Sequence, residues 1–275
     1  GLTHNKAFGS SVRCLTAPGA ISGLFTPSVS KQGGASVTIN SSGDATNNLW
    51  FAPSGTTVFT AGATMTTAGG TATSILAPAN AGSYKLFVLD AAGNYSSPSA
   101  ATLTVDNTAP TVAAAGVSST LADGAYTTSQ VVPITVTFSE AVTVTGTPQI
   151  TLTTGSPTTT AVNYSSGSGT TVLTFNYTVA SGNSSADLDY AATTSLALNT
   201  GTINDAAGNP ATLTLASPAA AGSLGANKAI VIDTSAPTNQ DTVFAASVSK
   251  IGGASVTIVS SADATNNVWF APSGT

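Results

Sequence analysis

"VVPITVTFS" at residues 131–139 and "VLTFNYTV" at 172–179 decide the fold class. In the first, Val132, Ile134, Val136 and Phe138 alternate with Thr135 and Thr137. In the second, Leu173, Phe175, Tyr177 and Val179 alternate with Thr174, Asn176 and Thr178. A period of two puts the apolar side chains on one face of an extended strand, so Phe138, Phe175 and Tyr177 are candidate core residues. Thr on the wet face is a good strand former that carries no charge. Gly, Pro, Asn and Ser clusters cut the remaining chain into short strands, and no stretch sustains a 3.6-residue apolar period between helix caps. The predicted class is all-β, built as sandwiches.

Outward from these strands the chain repeats itself. "SVSKQGGASVTINSSGDATNNLWFAPSGT" at 28–56 returns at 247–275 with 25 identities in 29 positions, Lys250 following Lys31 by 219 residues. Phe25 and Phe244 keep the same spacing, as do Pro18 and Pro237. A fixed offset of that length is too long for one solenoid turn and suits whole domains in tandem. "VDNTAPT" at 105–111 and "IDTSAPT" at 232–238 punctuate the chain, each ending a β-rich run with Asp and opening the next with Ala-Pro. Proline removes a ladder donor and holds the preceding residue extended, which suits a stiff joint. The expected organisation is a leader or the end of a preceding domain (1–15), a unit A (16–106), a unit B (107–235) and an incomplete second copy of A (236–275).

Composition excludes several functions. Of 275 residues, 6% are charged, against about 25% in ordinary soluble domains, so Ser, Thr, Asn and Gln must carry solubility. The net charge is −5, with ten Asp and one Glu against six Lys and Arg. No basic stripe exists to displace phosphate counterions, which argues against a nucleic-acid partner. No run of about 18 apolar residues forms a transmembrane segment, and "GLTHNKAFGSS" lacks the apolar core of a signal peptide. Cys14 is the lone cysteine, so an internal disulfide is impossible.

Two resemblances follow from the motifs. "NAGSYKLFV" at 80–88 resembles the tyrosine corner of immunoglobulin-like domains, with Leu86 where disulfide-linked members have cysteine. On that resemblance Trp50 is the core tryptophan, packed on Val37 or Ile39, and Trp269 is its counterpart in the second copy. "LDAAGNYS" at 89–96 resembles the late hairpin of bacterial Ig-like domains. In unit B, "FSEAVTVTGTPQITLTTG", "YSSGSGTTVLTFNYTV", "ADLDYA", "INDAAGNPATLTL" and "AGSLGANKAIVIDT" follow in that order across 138–234. Together they resemble the swimming-motility-type (SWM) repeats of very large bacterial surface proteins. The resemblance implies tandem Ig-like domains in an extended extracellular or cell-surface array, and no catalytic residues.

The search for chemistry returns little. His4 is the sole histidine and Glu140 the sole glutamate, which argues against a Ser-His-Asp triad, a histidine metal cage or paired-glutamate catalysis. No enzyme and no obligate cofactor are expected. Asp106, Asp187, Asp189, Asp205 and Asp233 supply hard oxygens that suit calcium, or they serve as turn caps. Lys228, Glu140 and the asparagines of B could form an isopeptide bond if a core brought them together. Sequons stand at Asn40, Asn94, Asn163, Asn176 and Asn183.

Two function classes outlast this search. One is a structural stalk, sheath or fibre of end-to-end domains, with self-association between neighbouring copies; sheet edges with so little charge to guard them favour such contacts. The other is an adhesin module that recognises a glycan or protein. Residues 237–275 are expected to supply about three strands of a sandwich, whose apolar face a longer array or another subunit would have to cover.

Overall fold

The computed structural model describes Ile21, residues 23–236 and, from the closing stretch, residues 250–253, 255–256, 258 and 268–270. The expected leader, 1–15 with His4 and Cys14, and most of the second A copy lie outside the described residues. The described chain is nearly all β. No helix among the described residues is long and apolar enough to cross a membrane.

Residues of unit A form β1 (Val29–Lys31), β2 (Ser36–Thr38), β3 (Asn48–Ala52), β4 (Thr66–Gly69), β5 (Ser74–Leu76), β6 (Gly82–Leu89) and β7 (Leu103–Val105). Five make a sheet in the order β1-β7-β6-β3-β4, and β2 pairs with β5. The pair β1 and β7 is parallel; the others are antiparallel. Val37 and Ile75 from the small sheet and Leu49, Phe51, Leu86, Val88 and Leu103 from the large one meet in one buried cluster, so the two sheets close over a shared core. Each such side chain contributes about 1.5–3 kcal/mol by leaving water.

Unit B forms β8 (Val112–Ser119), β9 (Gly124–Tyr126), β10 (Val131–Thr145), β11 (Gln149–Thr153), β12 (Thr159–Ser166), β13 (Thr170–Thr178), β14 (Ser184–Ser185), β15 (Leu196–Ala197), β16 (Thr202–Asn204), the short helix α1 (Leu224–Asn227) and β17 (Ile230–Asp233). The larger sheet runs β15-β11-β12-β13-β10-β16 with β8 also on β10, and β14-β17-β9 forms the smaller one. Here too an early strand, β9, pairs parallel with the last, β17. Phe138, Phe175 and Tyr177 are buried in a second core that draws on both sheets. The Tyr177 hydroxyl donates to Asn183 Oδ1 at 2.8 Å. The register of β10 slips between Thr137 and Val142, and this bulge carries Glu140.

Trp50 is a correction. The alternation along β3 turns Leu49 and Phe51 into the core and leaves Trp50 half-buried on the opposite face. There it lies across the ladder from Phe87, and Phe59 packs edge-on against both rings at 5.7 and 5.3 Å. Tyr95 closes this outer aromatic cluster at 5.6 Å from Phe59. Trp50 Nε1 is buried in it without a hydrogen-bond partner among the described residues. Trp269 is also corrected, being 83% exposed. The residues that cover Trp50, namely Phe59, Phe87 and Tyr95, have no counterparts within 236–275.

The tyrosine of the corner motif is buried, and Tyr84 Oη donates to Asn80 O at 2.8 Å. Unit B repeats the device: Tyr126 Oη donates to Ala122 O at 2.6 Å, again four residues back and again two residues after a glycine. Serine also replaces ladder bonds. The Leu86 and Val88 amides donate to the hydroxyls of Ser99 and Ser96, while the Ser99 and Ser96 amides donate back to the Leu86 and Val88 carbonyls.

Candidate functional site

The described residues with the richest polar chemistry lie where unit A meets unit B. Asp106 follows β7, and its amide donates to Lys31 O at 3.0 Å, carrying the β1–β7 pairing into the linker. Its Oδ1 accepts the Thr108 amide at 2.9 Å, an Asx turn that fixes the approach to Pro110. Asn107 ties the linker back to A, accepting from Gly33 N at 2.8 Å and donating from Nδ2 to Ala79 O at 2.9 Å. Gly33 permits this approach because a Cβ there would meet Ala79 O at 2.5 Å.

Unit B answers with the turn Asp205–Asn209. Asp205 Oδ1 accepts the Gly208 and Asn209 amides at 2.7 Å each, and Oδ2 accepts Asn209 Nδ2 at 2.7 Å. Gly208, at φ +99°, takes a left-handed conformation that glycine adopts without steric cost. The turn reaches both unit A and the linker: Gln32 N donates to Ala207 O at 3.0 Å, and Asn209 Nδ2 donates to the linker carbonyl Asp106 O at 2.9 Å. Asp205, Ala207 and Asn209 are buried there. Pro110, also buried, accepts from Thr212 N at 2.8 Å and so pins the linker to B.

The bulge in β10 aims Glu140 at the same place, as bulges commonly re-aim a side chain. Carboxylate oxygens of Asp106, Glu140 and Asp205 lie within 4.8 Å of one another. Burial, then the negative charges of Asp205 and Asp106, raise the Glu140 carboxyl above its ordinary value. Among the described residues its carboxylate makes no hydrogen bond or ion pair. These are the residues at the joint that could hold a hard cation such as calcium, which takes six to eight oxygens.

Of the five aspartates read as calcium candidates, the fold brings Asp106 and Asp205 together and adds Glu140. It places the other three elsewhere. Asp187 and Asp189 face Gly225, whose added Cβ would lie 3.4 and 3.1 Å from their Oδ2 atoms. Asp189 Oδ2 caps the Ala219 amide at 2.9 Å, and Asp233 Oδ1 caps Ser235 N at 2.9 Å. Lys228 Nζ pairs with Asp123 at 3.0 Å, while Glu140 belongs to the joint, so the proposed isopeptide group is not assembled. Asn183, one of the sequons, is buried with Nδ2 donating to Ser156 O.

Sequence reasoning missed Glu140 as a joint residue, and it missed that the joint is closed by the string "DAAGN". That string stands at both 90–94 and 205–209, so a search for short exact repeats would have found it. Comparison with known protein families finds no family model that matches this chain. A search of curated proteins returns no sequence match.

Proposed function

We propose that this chain is a segment of a structural array, a stalk, sheath or fibre of Ig-like units on or outside a bacterial cell. The observation that carries the reading is the A–B joint. The Gln32–Ala207 bond between the units, the bonds of Asp106 and Asn107, and a buried turn restrain the linker, and an A-type sequence begins again after the corresponding linker of B. A part repeated with 25 identities in 29 positions suits length better than a single specific tip. The parallel pairing of an early and the last strand in both units and the Tyr84 corner support the Ig-like reading.

A cleft of about 230 Å³ in unit A, lined by Phe25, Val29, Lys31, Val37 and Asn40 among others, offers Lys31 as its ionisable group. Ligand pockets usually hold about 300–1,000 Å³ and several convergent polar groups, so we assign the chain no reaction. The adhesin alternative would use the outer face of A, where Tyr95 and Val58 are 39% and 74% exposed. The rings there pack against one another, Phe59 edge-on to Trp50 and Phe87 and tilted against Tyr95.

Small-angle scattering of the chain tests the array reading. The longest strand has 8 residues in A and 15 in B, which at about 3.3 Å per residue span roughly 26 and 50 Å, so an A–B pair laid end to end should advance about 70–80 Å. A compact particle with A and B side by side around a shared cleft would overturn it.

A further inference from the structure

Unit A carries a second copy of the turn that closes the joint. Asp90 Oδ1 accepts the Ala92 and Asn94 amides at 2.9 Å each, Oδ2 accepts Asn94 Nδ2 at 2.9 Å, and Gly93 stands at φ +87°. Asp90 N donates to Asn94 O at 3.0 Å, as Asp205 N does to Asn209 O at 3.1 Å. The two turns match in sequence and share the Asn amide, Asn side-chain and closing backbone bonds, Oδ1 taking the Ala92 amide in A and the Gly208 amide in B, but they differ in cover. Asp205, Ala207 and Asn209 are buried by the joint, whereas their counterparts Asp90 and Asn94 are half-buried and Ala92 is exposed; the first Ala and the Gly are exposed in both turns. Among the described residues the Ala92 carbonyl has no partner.

The surface that receives the turn also exists twice. At the end of unit A, Gly34 N donates to Ala77 O, Ala77 N to Ala35 O and Ala35 N to Gln32 O. At the end of unit B, Ser129 N donates to Val179 O, Val179 N to Gln130 O and Gln130 N to Thr127 O. Gly34 and Ser129 share a positive φ, +78° and +72°. Asn107 bridges Gly33 and Ala79, and Thr234, at the same place in its linker, bridges Gly182 and Asn183.

We propose that the Asp90–Asn94 turn docks on the end of a preceding unit B, formed by the exposed Thr127–Gln130, as Asp205–Asn209 docks on unit A. The inference rests on the array reading. Its occupant follows from the order of the sequence, because the end of B leads directly into an A-type copy. One group stands in the way. The Thr127 amide, counterpart of the Gln32 amide that reaches Ala207, donates to Gln130 Oε1 at 2.6 Å. Ala35, at the matching place in A, has no side chain to do this. Gln130 is therefore a latch: docking requires it to swing out and yield the Thr127 amide to the Ala92 carbonyl.

The test uses a longer chain in which Thr275 is followed by residues 57–235, as the 219-residue period dictates. It contains two A–B joints and one B–A joint, whose linker "IDTSAPT" is distinct in mass from "VDNTAPT". Hydrogen exchange read by mass spectrometry should show the B–A linker protected to within about threefold of the A–B linkers. Ala92→Arg in the second copy, at an exposed position, should speed exchange of that linker at least tenfold and leave the others unchanged. Gln130→Ala in the first copy should slow it. A B–A linker that exchanges freely in the unaltered chain and responds to neither substitution overturns the docking. Scattering from the same sample separates the two readings: an extended particle with that free linker sinks the docking alone, and a compact one sinks the array.

Discussion

Units A and B use the same devices with different burial, and the difference shows where local sequence stops deciding energetics. Both contain a tyrosine that reaches back four residues and a DAAGN turn. In B the turn is sealed by a neighbour and its aromatic strand residues, Phe175 and Tyr177, point into the core. In A the turn is open and its tryptophan lies on the outer face. Five residues suffice to specify the bonds of the turn. What those bonds are worth depends on residues about a hundred positions away, since Asn209 reaches Asp106 across 103 residues.

The sharpest contrast is between the two aromatic positions. Phe175→Ala removes a ring with no exposed surface and should destabilise B by about 3–5 kcal/mol through lost transfer and an unfilled cavity. Trp50→Ala should cost A about 1 kcal/mol, because the ring is half-exposed and an unpaired buried N–H disappears with it. Urea melts followed by circular dichroism would compare them. Equal costs would return Trp50 to the core of A.

How much of this was legible follows from the same pair. Period-two alternation places Leu49 and Phe51 opposite Trp50, but it gives relative facing and not which face is covered. A resemblance supplied the missing sign for Trp50, and supplied it wrongly. In 131–139 and 172–179 all the Ile, Leu and aromatic residues share one face, with Val131, Pro133 and Val172 on the other, leaving no such ambiguity. The tyrosine corner was legible because its partner lies four residues away. The joint was not. Glu140 reaches it through a register slip, and Asp205 through a turn far along the chain from Asp106, neither of which is written in local periodicity.

A smaller effect separates the two turns. Asn209→Ala removes the donor to Asp106 O and to Asp205 Oδ2 inside the joint, and leaving those acceptors buried should cost about 2–3 kcal/mol. Asn94→Ala breaks the matching bond to Asp90 where water can replace it, so about 0.5–1 kcal/mol is expected. Thermal melts of each variant decide it. If Asn94→Ala were the costlier, the open turn of A would be covered in the free chain.

The smallest effect concerns charge, and here A and the joint should respond to acid with opposite signs. In A, the Asn94 amide and then the backbone amides of the turn hold Asp90 below its ordinary value of 3.8. A lowered group favours the folded state above its unfolded pKa, and that contribution is lost as pH falls through the folded value. At the joint Glu140 is raised above 4.5 by burial and by the charges of Asp205 and Asp106. A raised group favours the folded state below its unfolded pKa, and that contribution is lost as pH rises through the folded value. Acidification from pH 7 toward 4.5 should therefore strengthen the joint, and further acid below 3.8 should weaken A. Glu140→Gln removes the repulsion, so it should raise the melting temperature at pH 7 by roughly a degree and flatten the profile between pH 7 and 4.5. The opposite result, a lower melting temperature for Glu140→Gln that a chelator abolishes by bringing the parent down to match, would mean that a cation holds the three carboxylates together. In that case Asp106, Glu140 and Asp205 would act as ligands, and the joint would owe its stiffness to the ion as well as to the turn.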